Sequence, residues 1–200
     1  MRLTEIRIAG FGGQGVILAT QILGRAASIF DGVHATMTQS FGPEARGGAC
    51  SAQLIVSDEP VLYPYVTRAD VLVAMSQEAY SKFAREVKPG GILIVERDLV
   101  QPGQPPEGIR VCPLAATRMA EELGKRVVQN VVMLGFFAAV TGIVSAAALE
   151  KAVLSSVPSH LADLNRRALQ AGAHAGEGVL CESAASIALP SESLPPPPGP

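Results

Sequence analysis

Tryptophan is absent from this 200-residue chain, and aromatic residues make up only 4% of it. A platform that stacks nucleobases needs such rings, so that class of function is disfavoured at once. Basic residues are not concentrated either. Sixteen Lys and Arg stand against 18 Asp and Glu, for a net charge of −2. They are scattered without a dense run, whereas a nucleic-acid backbone requires a concentrated basic surface. Cysteine is sparse: Cys50, Cys112 and Cys181 lie far apart and form no C-x-x-C pair. That spacing gives no iron–sulfur cluster or structural zinc within this chain, and a reduced, cytoplasmic setting is expected. A strand-like segment begins within a few residues of Met1, which leaves no room for a signal peptide. His34, His160 and His174 are too dispersed for a metal site or a catalytic pair. No Ser/His/Asp or Cys/His constellation emerges.

Charge is also missing from Val127 to Leu149, a stretch long enough to span a bilayer. Gln129, Asn130, Thr141 and Ser145 interrupt it, and Thr141-Gly142 reads as a helix stop. Ser145 can cap a new helix from Ala146 onward, with Glu150 in its early turns. Two buried helices joined by a turn are therefore expected rather than a membrane span. Hydrophobic residues at 48% of the chain suit a single domain with a sizeable core.

The most informative segment that is present runs Glu5-Ile6-Arg7-Ile8-Ala9-Gly10-Phe11-Gly12-Gly13-Gln14-Gly15-Val16. A short strand enters a glycine-rich turn and an apolar helix follows, with Gly10, Gly12 and Gly15 at G-x-G-x-x-G spacing. Such a turn lets backbone approach a ligand closely while the helix N-terminus offers unpaired N–H groups to an anion. Downstream, the pattern predicts strands at 4–9, 34–38, 49–56, 71–75, 92–95 and 109–112. Helices are expected at 14–29, 77–87 and across most of 114–171, with Lys88-Pro89-Gly90-Gly91 as a turn. Alternating strands and helices predict an α/β, Rossmann-like domain over residues 1–171, with a mostly parallel sheet and helices on both faces. One antiparallel pairing is expected, because segment 49–56 follows the preceding strand through a loop, 39–48. Residues 172–200 are rich in Ala, Gly, Ser and Pro and are read as a disordered tail.

A nicotinamide site of Rossmann type needs an acid at the end of the second strand, and here that place reads Met37-Thr38-Gln39-Ser40. Asp31 precedes the strand, where an Asp-Gly turn accounts for it. The second distinctive segment is Ser40-Phe41-Gly42-Pro43-Glu44-Ala45-Arg46-Gly47-Gly48. Its Arg46 can grip a phosphate or carboxylate, Gly47 and Gly48 admit close backbone approach, and Glu44 can pair with a charge. A solvated loop with a local salt bridge is the plainer alternative. Ser76 is expected to cap the helix after the 71–75 strand, Gln129 and Asn130 to satisfy backbone groups or face a subunit, and Glu96-Arg97-Asp98 to form a solvated loop.

Taken together, these segments resemble the gamma subunit of the 2-oxoacid:ferredoxin oxidoreductases (the pyruvate/ketoisovalerate oxidoreductase gamma domain). The resemblance rests on residues 8–16 and 40–51 and extends through Asp70–Met75, Lys88–Gly91 and Asn130–Gly135, in order, over roughly residues 3–170. The form of the 40–48 loop is most similar to the 2-oxoglutarate branch, with pyruvate and branched-chain 2-oxoacids open. The resemblance implies a subunit, inactive alone, of an enzyme that decarboxylates a 2-oxoacid on thiamine diphosphate. The acyl group passes to coenzyme A as co-substrate and electrons to ferredoxin. It places thiamine diphosphate and iron–sulfur clusters in partner subunits of alpha and beta type, with delta as a further candidate, and no cofactor or metal in this chain alone. It implies contacts to the coenzyme's phosphates or to a partner from Gly12, Gly13, Gln14 and Gly15, joined by Ser40, Glu44, Arg46 and Gly47. Neither nucleic acid nor membrane is an expected partner. The rival readings are a beta-type subunit of an indolepyruvate oxidoreductase, an independent NAD- or nucleotide-binding protein, and a non-catalytic assembly module.

Overall fold

The computed structural model describes residues 3–41, 49–179 and 182–183. Its centre is a seven-stranded sheet in the order β2-β3-β1-β4-β5-β6-β7. The strands are β1 (Leu3–Phe11), β2 (His34–Phe41), β3 (Ala49–Ser57), β4 (Ala69–Ala74), β5 (Val87–Glu96), β6 (Arg110–Leu114) and β7 (Glu182–Ser183). Strands β1, β4, β5 and β6 are mutually parallel. β3 runs antiparallel to both β1 and β2, and β7 antiparallel to β6. The fold is α/β and Rossmann-like, with most strands in one direction. More antiparallel pairing is present than the sequence suggested, because β3 inserts between β1 and β2.

Near-continuous apolar runs form the central strands because both sheet faces are covered. Ile6, Ile8, Val71, Val73, Ile92 and Ile94 pack on one face. That face carries α1 (Val16–Arg25), α3 (Ala116–Glu122), α4 (Gln129–Thr141), α5 (Ala146–Ser156) and α6 (Ala162–Glu177). Ala9, Leu72, Ala74, Leu93 and Val95 pack on the other with Ala79 and Phe83 of α2 (Gln77–Phe83). Arg7 also faces this side. It is buried, donates to the Val66 carbonyl at 2.9 Å, pairs with Glu86 at 3.1 Å and stacks on the Phe83 ring.

The uncharged stretch folds as two helices, as its caps dictate. α4 ends at Thr141 with Gly142 left-handed at φ 61°, and Ser145 caps α5 by accepting from the Ala148 N–H at 3.1 Å. Asp31 adds to that cap, accepting from Ser145 N–H and hydroxyl at 2.8 and 2.7 Å. Among the described residues no helix is long and apolar enough to cross a membrane.

Several boundaries differ from expectation. α1 starts at Val16, and its continuation Ala26–Phe30 is wound as a π-helix. β2 continues through Phe41, so Gln39–Phe41 are strand, held by the ladder to β3. Val87 opens β5 instead of closing a helix, and Lys88–Gly91 are absorbed into that strand at a register shift. There Lys88 bridges Glu5 at 2.7 Å and Asp70 at 2.8 Å. α6 runs past residue 171 to Glu177. Its small residues, which suggest a flexible tail by composition, are what let it cross α4 in close contact. A Cβ at Gly172 would strike the Val132 carbonyl oxygen, and one at Gly135 the Leu169 carbonyl oxygen.

Glu96 is the largest departure. Read as a solvated loop residue, it is 1% exposed at the end of β5. Its carboxylate accepts from the Thr117 N–H at 3.0 Å and the Asp98 N–H at 3.3 Å, so it caps α3 from a distance in sequence. Burial pushes the Glu96 carboxyl above its ordinary value of 4.5, although these donors oppose the shift.

Two predictions follow from this packing. Gly172→Ala should force α4 and α6 apart, costing about 3 kcal/mol, and lower the melting temperature by roughly 6–12 °C; thermal unfolding of the purified protein checks this. The raised Glu96 value means that the folded chain holds more protons than the unfolded one between the ordinary carboxylate value and the raised one. Stability therefore falls as pH rises through that window. Melting curves across the acidic range should flatten there in Glu96→Gln, whereas curves parallel to the wild type would contradict the assignment.

Candidate functional site

The glycine turn lies at the C-terminal edge of the sheet, between β1 and α1. Gly13 has φ 96° and Gly15 has φ 75°, conformations open to glycine and strained for other residues. Gly15 is confined further, because a Cβ there would meet the Asn130 side chain, whose Nδ2 donates to the Gly15 carbonyl at 3.4 Å. At Gly13 the Cβ position is empty space. Gly12 and Gly13 are exposed. α1 has Gly15 at its N-cap position, with no side-chain cap and no acidic residue in its first turn. Its positive end is thus available to an anion.

Gln14 has a different role from the one its place in the motif suggests. It is buried, its Oε1 accepts from the Phe11 N–H at 2.7 Å, and its Nε2 donates to the Met75 carbonyl at 2.7 Å. Both ends of the amide are consumed in tying the end of β1 to the end of β4. The side chain shapes the turn, and a ligand would meet only its backbone.

The second motif leaves the sheet beside the first. Gly10 pairs with Cys50, and Cys50 pairs with Phe41, so the β2–β3 connection departs next to the glycine turn. Ser40 is exposed on that rim. It lines a small cavity of about 60 Å³ with Gly10, Cys50, Ser51 and Lys82. Burial pushes the Cys50 thiol up, which keeps it protonated and a poor nucleophile. Glu44, Arg46 and Gly47 lie outside the described residues. The missing strand-end acid of a nicotinamide site has a topological counterpart here: β3 separates β2 from β1 and its glycine turn.

On the other side of the turn, a cleft of about 480 Å³ opens between the ends of β1 and β4. This is the crevice where open α/β sheets receive ligands. Gly12, Gly13, Ser76, Gln77, Arg126 and Gln129 line it. Ser76 caps α2, accepting from the Ala79 N–H at 3.2 Å, as its position after β4 suggested. The sequence alone does not mark Arg126 or Gln129 as cleft residues. The only sequence sign was a polar Gln129-Asn130 pair opening an otherwise apolar helix. Gln129 is buried and accepts from the Thr117 hydroxyl at 2.9 Å. Asn130 satisfies backbone at Gly15, as expected of one of the pair. His34, His160 and His174 are all exposed. Among the described residues no group of three His, Cys, Asp or Glu converges to hold a metal. The exposed glycine turn, the uncapped start of α1 and Arg126 at the cleft present backbone donors and positive charge at this edge.

Comparison with known proteins agrees with this architecture. The family described as pyruvate ferredoxin/flavodoxin oxidoreductase matches residues 5–175. The 2-oxoglutarate synthase subunit KorC of Methanocaldococcus jannaschii is 46% identical over 170 residues, covering 84% of this chain and 91% of the relative. The gamma subunit of a keto/oxoacid ferredoxin oxidoreductase from Geobacter sulfurreducens superposes with a TM-score of 0.80 at 44% identity, over 88% of this chain and 97% of that one. The 2-oxoglutarate:ferredoxin oxidoreductase of Magnetococcus marinus, solved with 2-oxoglutarate, coenzyme A and succinyl-CoA bound, shares the fold. It gives a TM-score of 0.82 at 23% identity, over 92% of this chain and 32% of that longer one. This chain belongs to the pyruvate ferredoxin/flavodoxin oxidoreductase family, as a gamma subunit of a 2-oxoacid:ferredoxin oxidoreductase.

Proposed function

We propose that this gamma subunit serves a 2-oxoglutarate:ferredoxin oxidoreductase and that its glycine rim faces the phosphates of coenzyme A. The complex converts 2-oxoglutarate to succinyl-CoA with release of carbon dioxide and passes the electrons to ferredoxin in the cytoplasm. Thiamine diphosphate and iron–sulfur clusters reside in partner subunits of alpha and beta type, with delta as a further member. This chain contributes binding and orientation, and is not an enzyme alone.

One observation carries the reading. The Gly10–Cys50–Phe41 register brings the end of β2 and the start of β3 to the sheet edge that carries the glycine turn, next to the uncapped N-terminus of α1. Backbone N–H groups at Gly12, Gly13 and Gly15 suit phosphate oxygens. Ser40 lies on the same rim, and Glu44, Arg46 and Gly47 follow it closely in the sequence. The name of the Methanocaldococcus relative and the ligands of the Magnetococcus enzyme support the choice of substrate and of coenzyme.

The test is an anaerobic assay of the purified complex. Ferredoxin reduction should depend on coenzyme A and be faster with 2-oxoglutarate than with pyruvate. Arg46→Ala should raise the KM for coenzyme A roughly tenfold, the loss of one charge-assisted contact. Equal rates with both oxoacids would overturn the substrate assignment. An unchanged coenzyme A dependence together with unchanged assembly would remove Arg46 from the site.

A further inference from the structure

We propose that the outer edge of β2 is where two copies of this chain meet, pairing strand to strand across a two-fold axis to form one continuous sheet.

The two ends of the sheet are finished differently. On one side the two-residue β7 closes it. On the other lies β2, eight residues long, with β3 along one edge and no strand along the other among the described residues. Its register with β3 runs from the His34/Ser57 pair to the Phe41/Cys50 pair without a shift, so no bulge turns the edge away. The strand contains no Lys, Arg, Asp, Glu, Pro or Gly. Those are the devices that keep an exposed edge from pairing, and all are missing here. Backbone N–H and C=O groups therefore stand along this edge in a regular row.

Apolar side chains flank that row on both faces. On the helical face, α1 and its π-wound end expose Leu18, Ile29 and Phe30. A groove of about 640 Å³ separates α1 from the strand, lined in part by Leu18, Ala35 and Met37. On the opposite face, the loop after β3 exposes Leu62, Tyr63 and Tyr65, the two rings edge to face at 5.5 Å. Gln53 ties this loop down beside β2. Its Oε1 accepts from the Val66 N–H at 2.8 Å and from the Thr38 hydroxyl at 3.4 Å. These six are most of the ten large apolar side chains exposed among the described residues. Exposed Leu, Ile, Phe and Tyr gathered on both sides of an uncharged strand have the composition of an interface core.

The strand's own sequence selects a second copy as the occupant. An uncharged strand meets its twin without like-charge repulsion. Directly opposed residues of antiparallel strands share a face, and a two-fold axis normal to the sheet preserves the faces. The pairing must then join positions of equal parity. Centred on Met37, it sets Thr36 against Thr38 of the other copy and Ala35 against Gln39. Thr–Thr is a favourable cross-strand pair. Met37, half-buried on the helical face, meets its counterpart beneath the two α1 helices, and the second copy's α1 fills the groove beside it.

The test is sedimentation of the full chain across a concentration series, with Thr36→Lys and Met37→Cys, followed by the native mass of the intact complex. The wild type should sediment as a dimer. Thr36→Lys sets a charge on the edge and should weaken the dimer roughly tenfold or more, with an unchanged circular dichroism spectrum. Mild oxidation with diamide should link the Met37→Cys variant into a covalent dimer through position 37, identified by peptide mass. The two thiols give up two protons and two electrons, and diamide becomes the hydrazine. Should Thr36→Lys misfold, the link at position 37 decides. The intact complex should hold this chain in pairs and give the same link. A monomeric wild type at every concentration, a dimer that folded Thr36→Lys leaves as tight, or no link at position 37 overturns the proposal. A complex with a single copy, its β2 protected from amide exchange, also overturns it and makes a strand of another subunit the occupant.

Discussion

Strand β1 is hydrogen-bonded on both edges by partners that run in opposite directions, and the geometry of the rim depends on that. β3, antiparallel, delivers its first residues to the last residues of β1, so the end of β2 and the start of β3 lie on the sheet edge that carries the glycine turn. β4, parallel, ends level with β1 on the other side and opens the crevice. A one-residue slip of β1 would send Ile6 and Ile8 to the wrong face, so the apolar alternation enforces the register. Gln14 locks the result, its amide spanning from Phe11 to Met75.

The helical layer completes the site from one side. α4 brings Asn130 against Gly15 and Gln129 to the cleft, and its position is fixed by the close crossing with α6 at Gly135 and Gly172. The buried polar groups that this packing traps are joined to one another. Glu96 holds α3, Thr117 of α3 holds Gln129 of α4, and the ends of separate elements become one rim. A polar network of this kind favours a unique arrangement when each member is satisfied.

How much was legible in the sequence follows from how local each feature is. The glycine turn, the Ser76 and Ser145 caps and the Thr141-Gly142 stop are decided by a few neighbouring residues, and they were readable. The insertion of β3 between β1 and β2 is a long-range register with no local mark. Glu96, followed by Arg97 and Asp98, has the pattern of a solvated loop. Its burial is created by α3 arriving some twenty residues later. The Ala- and Gly-rich part of α6 misleads for a related reason: small residues signal a break in isolation and a tight crossing in the fold. Arg126 had no local sign at all, since its place at the cleft is set by where α4 begins.

Amide hydrogen exchange of the intact complex tests whether the rim of this gamma subunit meets coenzyme A. With coenzyme A added, residues 10–16 and 126–130 should exchange more slowly than without it, while the β4–β5 core stays unchanged. Protection confined to partner subunits, with these two segments exchanging alike in both conditions, would place the coenzyme away from this rim.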